Sequence, residues 1–170
     1  MTPEDIQAAQ ARLNELRSTR TYAHLSTLNS EGFPLASYAP CLVRDKGIYV
    51  FLSQLSGHCK NLLLDNRAGV LLLADESDVR NPFARQRVSY QCEAVVVVAE
   101  DDDFGSVLDQ LAELHGNTVE LLRQLPDFVL FCLRPIAGTY IEGFGKAFDL
   151  ESDGATIVQH VDENVIRSRH

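Results

Sequence analysis

Apolar and polar positions alternate with two periods along this chain, and the switches between them mark its elements. Ile6, Ala9, Leu13 and Leu16 recur at the spacing of one helix face. Thr2 stands ahead of them as a cap, Pro3 takes the first helical position and Glu4 and Asp5 fill the first turn, so the pattern predicts a helix over 3–18. Strands are predicted over 22–28, 34–43 and 48–53, separated by the turns Asn29-Ser30-Glu31-Gly32 and Arg44-Asp45-Lys46-Gly47, which makes a meander of antiparallel hairpins. A short helix over 56–66 precedes the continuous apolar strand 69–74. A long strand over 85–99 follows, with Val88, Tyr90, Cys92, Ala94 and Val96 alternating. Asp101, Asp102 and Asp103 open a helix that runs to Leu114, and a further helix over 119–125 stops near Pro126. The runs 128–134, 138–141 and 144–150 read as strands, while 157–170 carries no firm pattern. Six or seven strands with helical connections predict a single domain, mainly β with peripheral helices (α+β), built as an antiparallel barrel. The helix spans 3–18, the barrel about 21–148 and a tail 151–170.

Composition narrows the partners. With 170 residues, 45% of them hydrophobic, the chain can bury a sizeable core. A net charge of −9 argues against broad binding to nucleic acid or to an anionic membrane, while leaving room for a local basic pocket. Cys41, Cys59, Cys92 and Cys132 are widely spaced and form no C-x-x-C pair, so buried free thiols are expected rather than a metal cluster or disulfides. The first residues read as a polar helix, not a signal peptide, and no apolar run reaches ~18 residues. A cytoplasmic protein is expected.

Candidate chemistry concentrates where the 48–53 strand runs into the next helix. Ser53, Ser56, His58, Lys60 and Asn61 fall within nine residues there, with Gly57 among them. Backbone N–H groups at a helix entrance and its dipole suit a phosphate, a carboxylate or a planar cofactor. The plain alternative is a Ser-capped helix with a solvated His and Lys. Arg85 and Arg87, two apart on a strand, would share a face, fitting an anionic partner or a solvated strand edge. Asp127, between Pro126 and an apolar strand, needs solvent or a partner, and an imidazole is one such partner. Gly143-Phe144-Gly145-Lys146 lacks the spacing of a phosphate loop and suggests a bulge. His160 and His170 in the tail are candidate metal or haem-iron ligands, with solvated ends as the alternative. No G-x-S-x-G, H-E-x-x-H or paired-cysteine pattern is present.

The order of these pieces resembles the haem-utilisation branch of the pyridoxamine 5′-phosphate oxidase-like split barrels. The matching segments are Ser37-Tyr38-Ala39-Pro40, Ser53-Gln54-Leu55-Ser56-Gly57-His58 with Asn61-Leu62, Phe83-Ala84-Arg85-Gln86-Arg87, Leu125-Pro126-Asp127-Phe128 with Leu130-Phe131, and Gly143-Phe144-Gly145-Lys146-Ala147. The resemblance implies a split β-barrel homodimer with cofactor sites at the subunit interface. It implies haem as cofactor, with FMN as the alternative on the same fold and a cofactor-free binding or storage protein as the third possibility. In the haem reading Arg87 lies near the distal side and Asp127 hydrogen-bonds an iron-ligating imidazole of the partner subunit. In the FMN reading Ser53, Ser56, His58, Lys60 and Arg87 hold the phosphate. The family's tail pattern, His-x-x-x-x-His, aligns without gaps to His160 and Val165, so the second imidazole is missing and haem turnover is expected to be weak or absent.

Overall fold

The computed structural model describes residues 2–78, 81–143 and 145–161. The chain opens with α1 (Pro3–Thr19) and continues through β1 (Tyr22–Leu28), β2 (Pro34–Arg44), β3 (Gly47–Ser53), α2 (Gly57–Leu64) and β4 (Arg67–Leu73). Two short 3-10 turns, Glu76–Asp78 and Pro82–Ala84, lead into β5 (Arg87–Val97), α3 (Asp102–His115), α4 (Thr118–Leu122), β6 (Phe128–Gly143), β7 (Lys146–Leu150) and β8 (Ile157–His160). The sheet runs β3-β2-β1-β4-β5-β6-β7-β8, all neighbours antiparallel, and β3 also pairs with β6. That extra pairing closes six strands into a barrel and leaves β7 and β8 as an extension beyond it. The split-barrel architecture expected from the sequence is therefore present.

Local chemistry explains the starts and stops. Thr2 Oγ1 accepts from the Asp5 N–H and Asp5 Oδ2 accepts from the Thr2 N–H, a reciprocal cap. Ala9, Leu13 and Leu16 of α1 are buried in the same core as Ala23, Leu25, Tyr90, Phe148 and Ile157, so α1 closes one end of the barrel. A second core lies outside the barrel wall. There Val107, Leu108, Leu111 and Val119 from α3 and α4 cover Leu42, Tyr49, Leu130 and Cys132. All four cysteines are free and buried.

The elements depart most from expectation at two places. The runs 128–134 and 138–141 are one strand, β6, which passes through Pro135. The register against β5 shifts between Gln91 and Cys92, so Gln91 faces Ala137 while Cys92 faces Pro135. Such a bulge is where a sheet tolerates a proline that cannot donate to the ladder. The tail, without firm pattern in the sequence, forms β8 on β7. Gln10 of α1 fixes it, donating to the Ala155 carbonyl at 2.6 Å and accepting from the Ile157 N–H at 2.9 Å. The buried Tyr90 hydroxyl donates to the Gly154 carbonyl at 2.8 Å.

Gly154 has φ +66°, and an added Cβ would stand 2.6 Å from Pro135 Cγ and 3.1 Å from Tyr90 Cε1. Gly32 has φ +78° with open space around it. Gly154→Ala should therefore cost about 2–4 kcal/mol, from backbone strain and overpacking together, and Gly32→Ala only about 1 kcal/mol, from strain alone. Urea denaturation reads both; equal losses would mean that the β7–β8 turn is not seated on Pro135 and Tyr90.

Candidate cofactor site

β3 and β6 meet at Ser53 opposite Phe128, which brings Asp127 against the end of β3. The Ser53 hydroxyl donates to Asp127 Oδ2 at 2.6 Å and accepts from the Leu55 N–H at 3.1 Å. The Gln54 N–H donates to the Asp127 carbonyl at 2.8 Å. The carboxylate is thus held by one oxygen; Oδ1 has no hydrogen bond among the described residues.

The helix that follows is seated by three side chains. Ser56 caps α2, its hydroxyl accepting from the Cys59 N–H at 3.4 Å and donating to the Ser53 carbonyl at 2.6 Å. His58 Nδ1 lies 2.9 Å from Ser37 Oγ on β2, and the buried Asn61 amide donates to the Oγ1 of fully buried Thr27 on β1 at 3.0 Å. His58 and Asn61 are three residues apart and share one helix face, so α2 sits over the ends of β1 and β2. Ser56 and Asn61, expected among the ligand contacts, spend these groups on holding the fold. Lys60 is exposed.

Electrostatics follow from burial. His58 is half-buried, and desolvation lowers its pKa, so the ring is neutral near pH 7. The Cys59 thiol is pushed up by burial and then by the Asp127 charge, and it points at the Leu52 carbonyl, 3.7 Å away. A protonated buried thiol is a poor nucleophile.

A second group lies elsewhere. Arg87 opens β5, opposite Leu73 and Ile141. Arg85 is not on that strand: it caps the 3-10 turn begun by Pro82, so the two arginines do not share a strand face as expected. Arg85 Nε donates to the Ala74 carbonyl at 2.8 Å, and Arg87 Nη1 to the Arg85 carbonyl at 2.9 Å. Both are half-buried, and among the described residues neither forms an ion pair.

His160, expected as a metal ligand, is tied into the terminal hairpin. Its Nε2 lies 2.9 Å from the Gly145 carbonyl and its ring packs edge-on against Phe148, 5.5 Å between centroids. Phe144, Val165 and His170 fall outside the described residues. Among the described residues no three His, Cys, Asp or Glu side chains cluster closely enough to hold a metal ion.

Asp127 stands at one end of β6 and Arg87 pairs beside the other, so one protomer does not bring the two groups together. A cavity of 780 Å³ between α1 and the start of β5, lined by Arg12, Arg20, Ala84, Gln86 and Glu142, includes neither Asp127 nor His58. Next to Asp127 in the chain, Phe128 packs against Phe51 at 5.1 Å between ring centroids, and on β2 Tyr38 is 66% exposed. Sequence reasoning gave no role to two supporting residues, Ser37, present only within a matching segment, and Thr27. Both interrupt the inward-facing apolar series of their strands, and an inward hydroxyl needs a partner.

Residues 9–142 match the family model described as pyridoxamine 5′-phosphate oxidase. The heme oxygenase HutZ of Vibrio cholerae is 30% identical over 154 residues, 91% of this chain and 88% of that protein. The crystal structure of HutZ, described there as a heme storage protein, superposes with a TM-score of 0.68 at 30% identity over 74% of this chain and 88% of that one. Campylobacter jejuni ChuZ superposes with a TM-score of 0.78 at 28% identity, over 89% of this chain and 63% of that longer one. The barrel, the order of its site segments and these relatives lead to one assignment: the chain belongs to the pyridoxamine 5′-phosphate oxidase-like split-barrel family, in its haem-utilisation branch.

Proposed function

We propose that this chain binds haem at sites shared between two copies of itself. The observation that carries the reading is Asp127, fixed through one carboxylate oxygen by Ser53, with no hydrogen bond to the other among the described residues and with the Phe128–Phe51 ring pair next to it along the chain. Such a carboxylate suits an imidazole N–H, which orients the ring and raises its basicity toward iron. Haem, when bound, supplies the redox chemistry of its iron. The residues here supply position and charge. Tyr38, Phe51 and Phe128 offer apolar surface to a porphyrin. His58 offers a neutral ring, and Lys60 and Arg87 offer cations for propionates. Identity of 30% with a heme oxygenase supports the same choice. Val165 at the expected ligand position, with His160 bound to its own hairpin, supports binding or storage with weak or absent haem degradation.

The homodimer rests on the barrel's outer face. Tyr38, His24, Leu71, Ser89 and Thr139 form one row across β2, β1, β4, β5 and β6. Ala36, Ser26, Gly69, Gln91 and Ala137 form the next, small at every position but Gln91, and Tyr22 and Tyr38 are exposed on β1 and β2. A second copy packed on this face with its strands reversed would bring its Arg87 end toward Asp127. The free, buried thiols fit a reducing, cytoplasmic setting. No helix among the described residues is long and apolar enough to cross a membrane.

The FMN reading is kept alive by the α2 entrance and Lys60. Titration with hemin and with FMN separates the two. Hemin should bind with a Soret shift and FMN should leave the protein colourless; tight FMN uptake with no hemin binding would overturn the proposal. Arg87→Ala should weaken hemin roughly 10- to 100-fold, as expected for a lost charge-assisted contact.

The shared site makes a stricter prediction. Asp127→Ala and Arg87→Ala homodimers should each bind hemin poorly. Subunits mixed from the two should recover about a quarter of the sites, since half the dimers are mixed and each holds one intact site. Absence of any recovery would put both residues in one protomer's site.

Because burial holds His58 neutral in the folded state, the unfolded chain takes up its proton first as pH falls through the ordinary value of ~6.5. Stability from this residue is present above that pH and declines below it. Melting temperatures of wild type and His58→Gln, compared between pH 7.5 and 5.5, should therefore converge on the acid side. Parallel curves would mean that His58 is not desolvated.

A further inference from the structure

The contact between Ser37 and His58 assigns a role to a side chain outside the expected site. Ser37 lies on the inward side of β2, opposite Leu25, and its hydroxyl meets His58 Nδ1 at 2.9 Å. No other side-chain hydrogen bond involves Ser37 among the described residues. A half-buried hydroxyl proton needs an acceptor, and the unprotonated Nδ1 is the one at hand. The proton of the neutral ring then resides on Nε2, the ring nitrogen that has no hydrogen-bond partner among the described residues.

We propose that Ser37 is a positioning residue: it donates to His58 Nδ1, fixes the Nε2–H form of the ring and so presents one neutral N–H donor to a carboxylate of the bound ligand, the propionate of haem. The choice of haem rests on the function proposed above; the Ser37–His58 arrangement does not. The position favours an anion. His58 lies in the first turn of α2, whose N-terminal N–H groups and dipole attract negative charge, and Lys60 follows two residues on. A neutral donor there costs less desolvation than a second cation. Asn61 and Thr27 seat the helix independently one turn later, so loss of the Ser37 contact need not unseat α2.

The test has one arm without ligand and one with it. In protein labelled with 15N at histidine, long-range proton–nitrogen correlation at neutral pH reports which ring nitrogen carries the proton, and His58→Gln assigns the signal. Wild type and Ser37→Thr should show His58 protonated at Nε2, and Ser37→Ala should show a mixture. A proton on Nδ1 in wild type, or a pattern unchanged in Ser37→Ala, overturns the arrangement. In the second arm Ser37→Ala should weaken hemin by about two- to tenfold, with Ser37→Thr restoring it, while hemin dimethyl ester, which lacks the carboxylates, should bind both forms equally. Equal loss with the ester would remove the carboxylate contact and leave a merely structural role. A Ser37 effect seen with FMN and not with hemin would overturn the haem reading while leaving the Ser37–His58 pair in place.

Discussion

Closure of the barrel by β3 against β6 is the constraint on which the rest depends. It joins strands more than seventy residues apart and sets Ser53 opposite Phe128, so that Asp127 arrives where the chain leaves β3 for α2. A single serine then does three things. Its hydroxyl holds the carboxylate, accepts the Leu55 N–H that shapes the turn, and its carbonyl takes the hydroxyl of the helix cap. Moving the β3–β6 register by one residue would turn Ser53 into the barrel and its neighbours out, undoing cap and carboxylate together.

The polar contacts around α2 owe their importance to where they lie. A hydrogen bond contributes about 1 kcal/mol net, but a buried donor left unpaired costs about 1–3 kcal/mol. Thr27 is fully buried, so its bond with Asn61 is closer to a requirement than to a bonus. This explains why a segment rich in ligand-like side chains devotes several of them to the fold. What is left without a hydrogen bond among the described residues is a short set, one oxygen of Asp127 and His58 Nε2, with Lys60 exposed beside them in the chain.

Much of the fold was legible because its signals are local. Caps, turn residues and strand alternation placed α1, the first hairpins and α3 within a residue or two of their observed ends. The joined β6 was not legible, because Pro135 reads as a strand breaker and only the partner strand's bulge makes it tolerable. The pairing of Tyr90 with Gly154 and of Gln10 with the tail was equally hidden, being set by contacts across the whole chain. At the candidate site, the sequence named a neighbourhood but could not distinguish a side chain free to face a ligand from one that seats a helix. Arg85 shows the same limit: its spacing from Arg87 implies a shared face only if both lie on the strand, and the Pro82 turn keeps Arg85 off it.

The division of the candidate residues between the two ends of β6 has a chemical consequence. The described tail ends at Val161, whose N–H bonds to the Ala147 carbonyl, on the Arg87 side of the molecule. A tail ligand and Arg87 therefore start from one end of a protomer, while Asp127, His58 and Lys60 stand at the other. In a dimer paired through the outer face, each ligand would meet cations from both copies and an orienting carboxylate from one. Binding and association are then linked, because a ligand held by both copies stabilises the dimer by mass action. The second row, small at every position but Gln91, would let two sheets approach closely there, and a ligand held by both copies would then contribute to holding the pair.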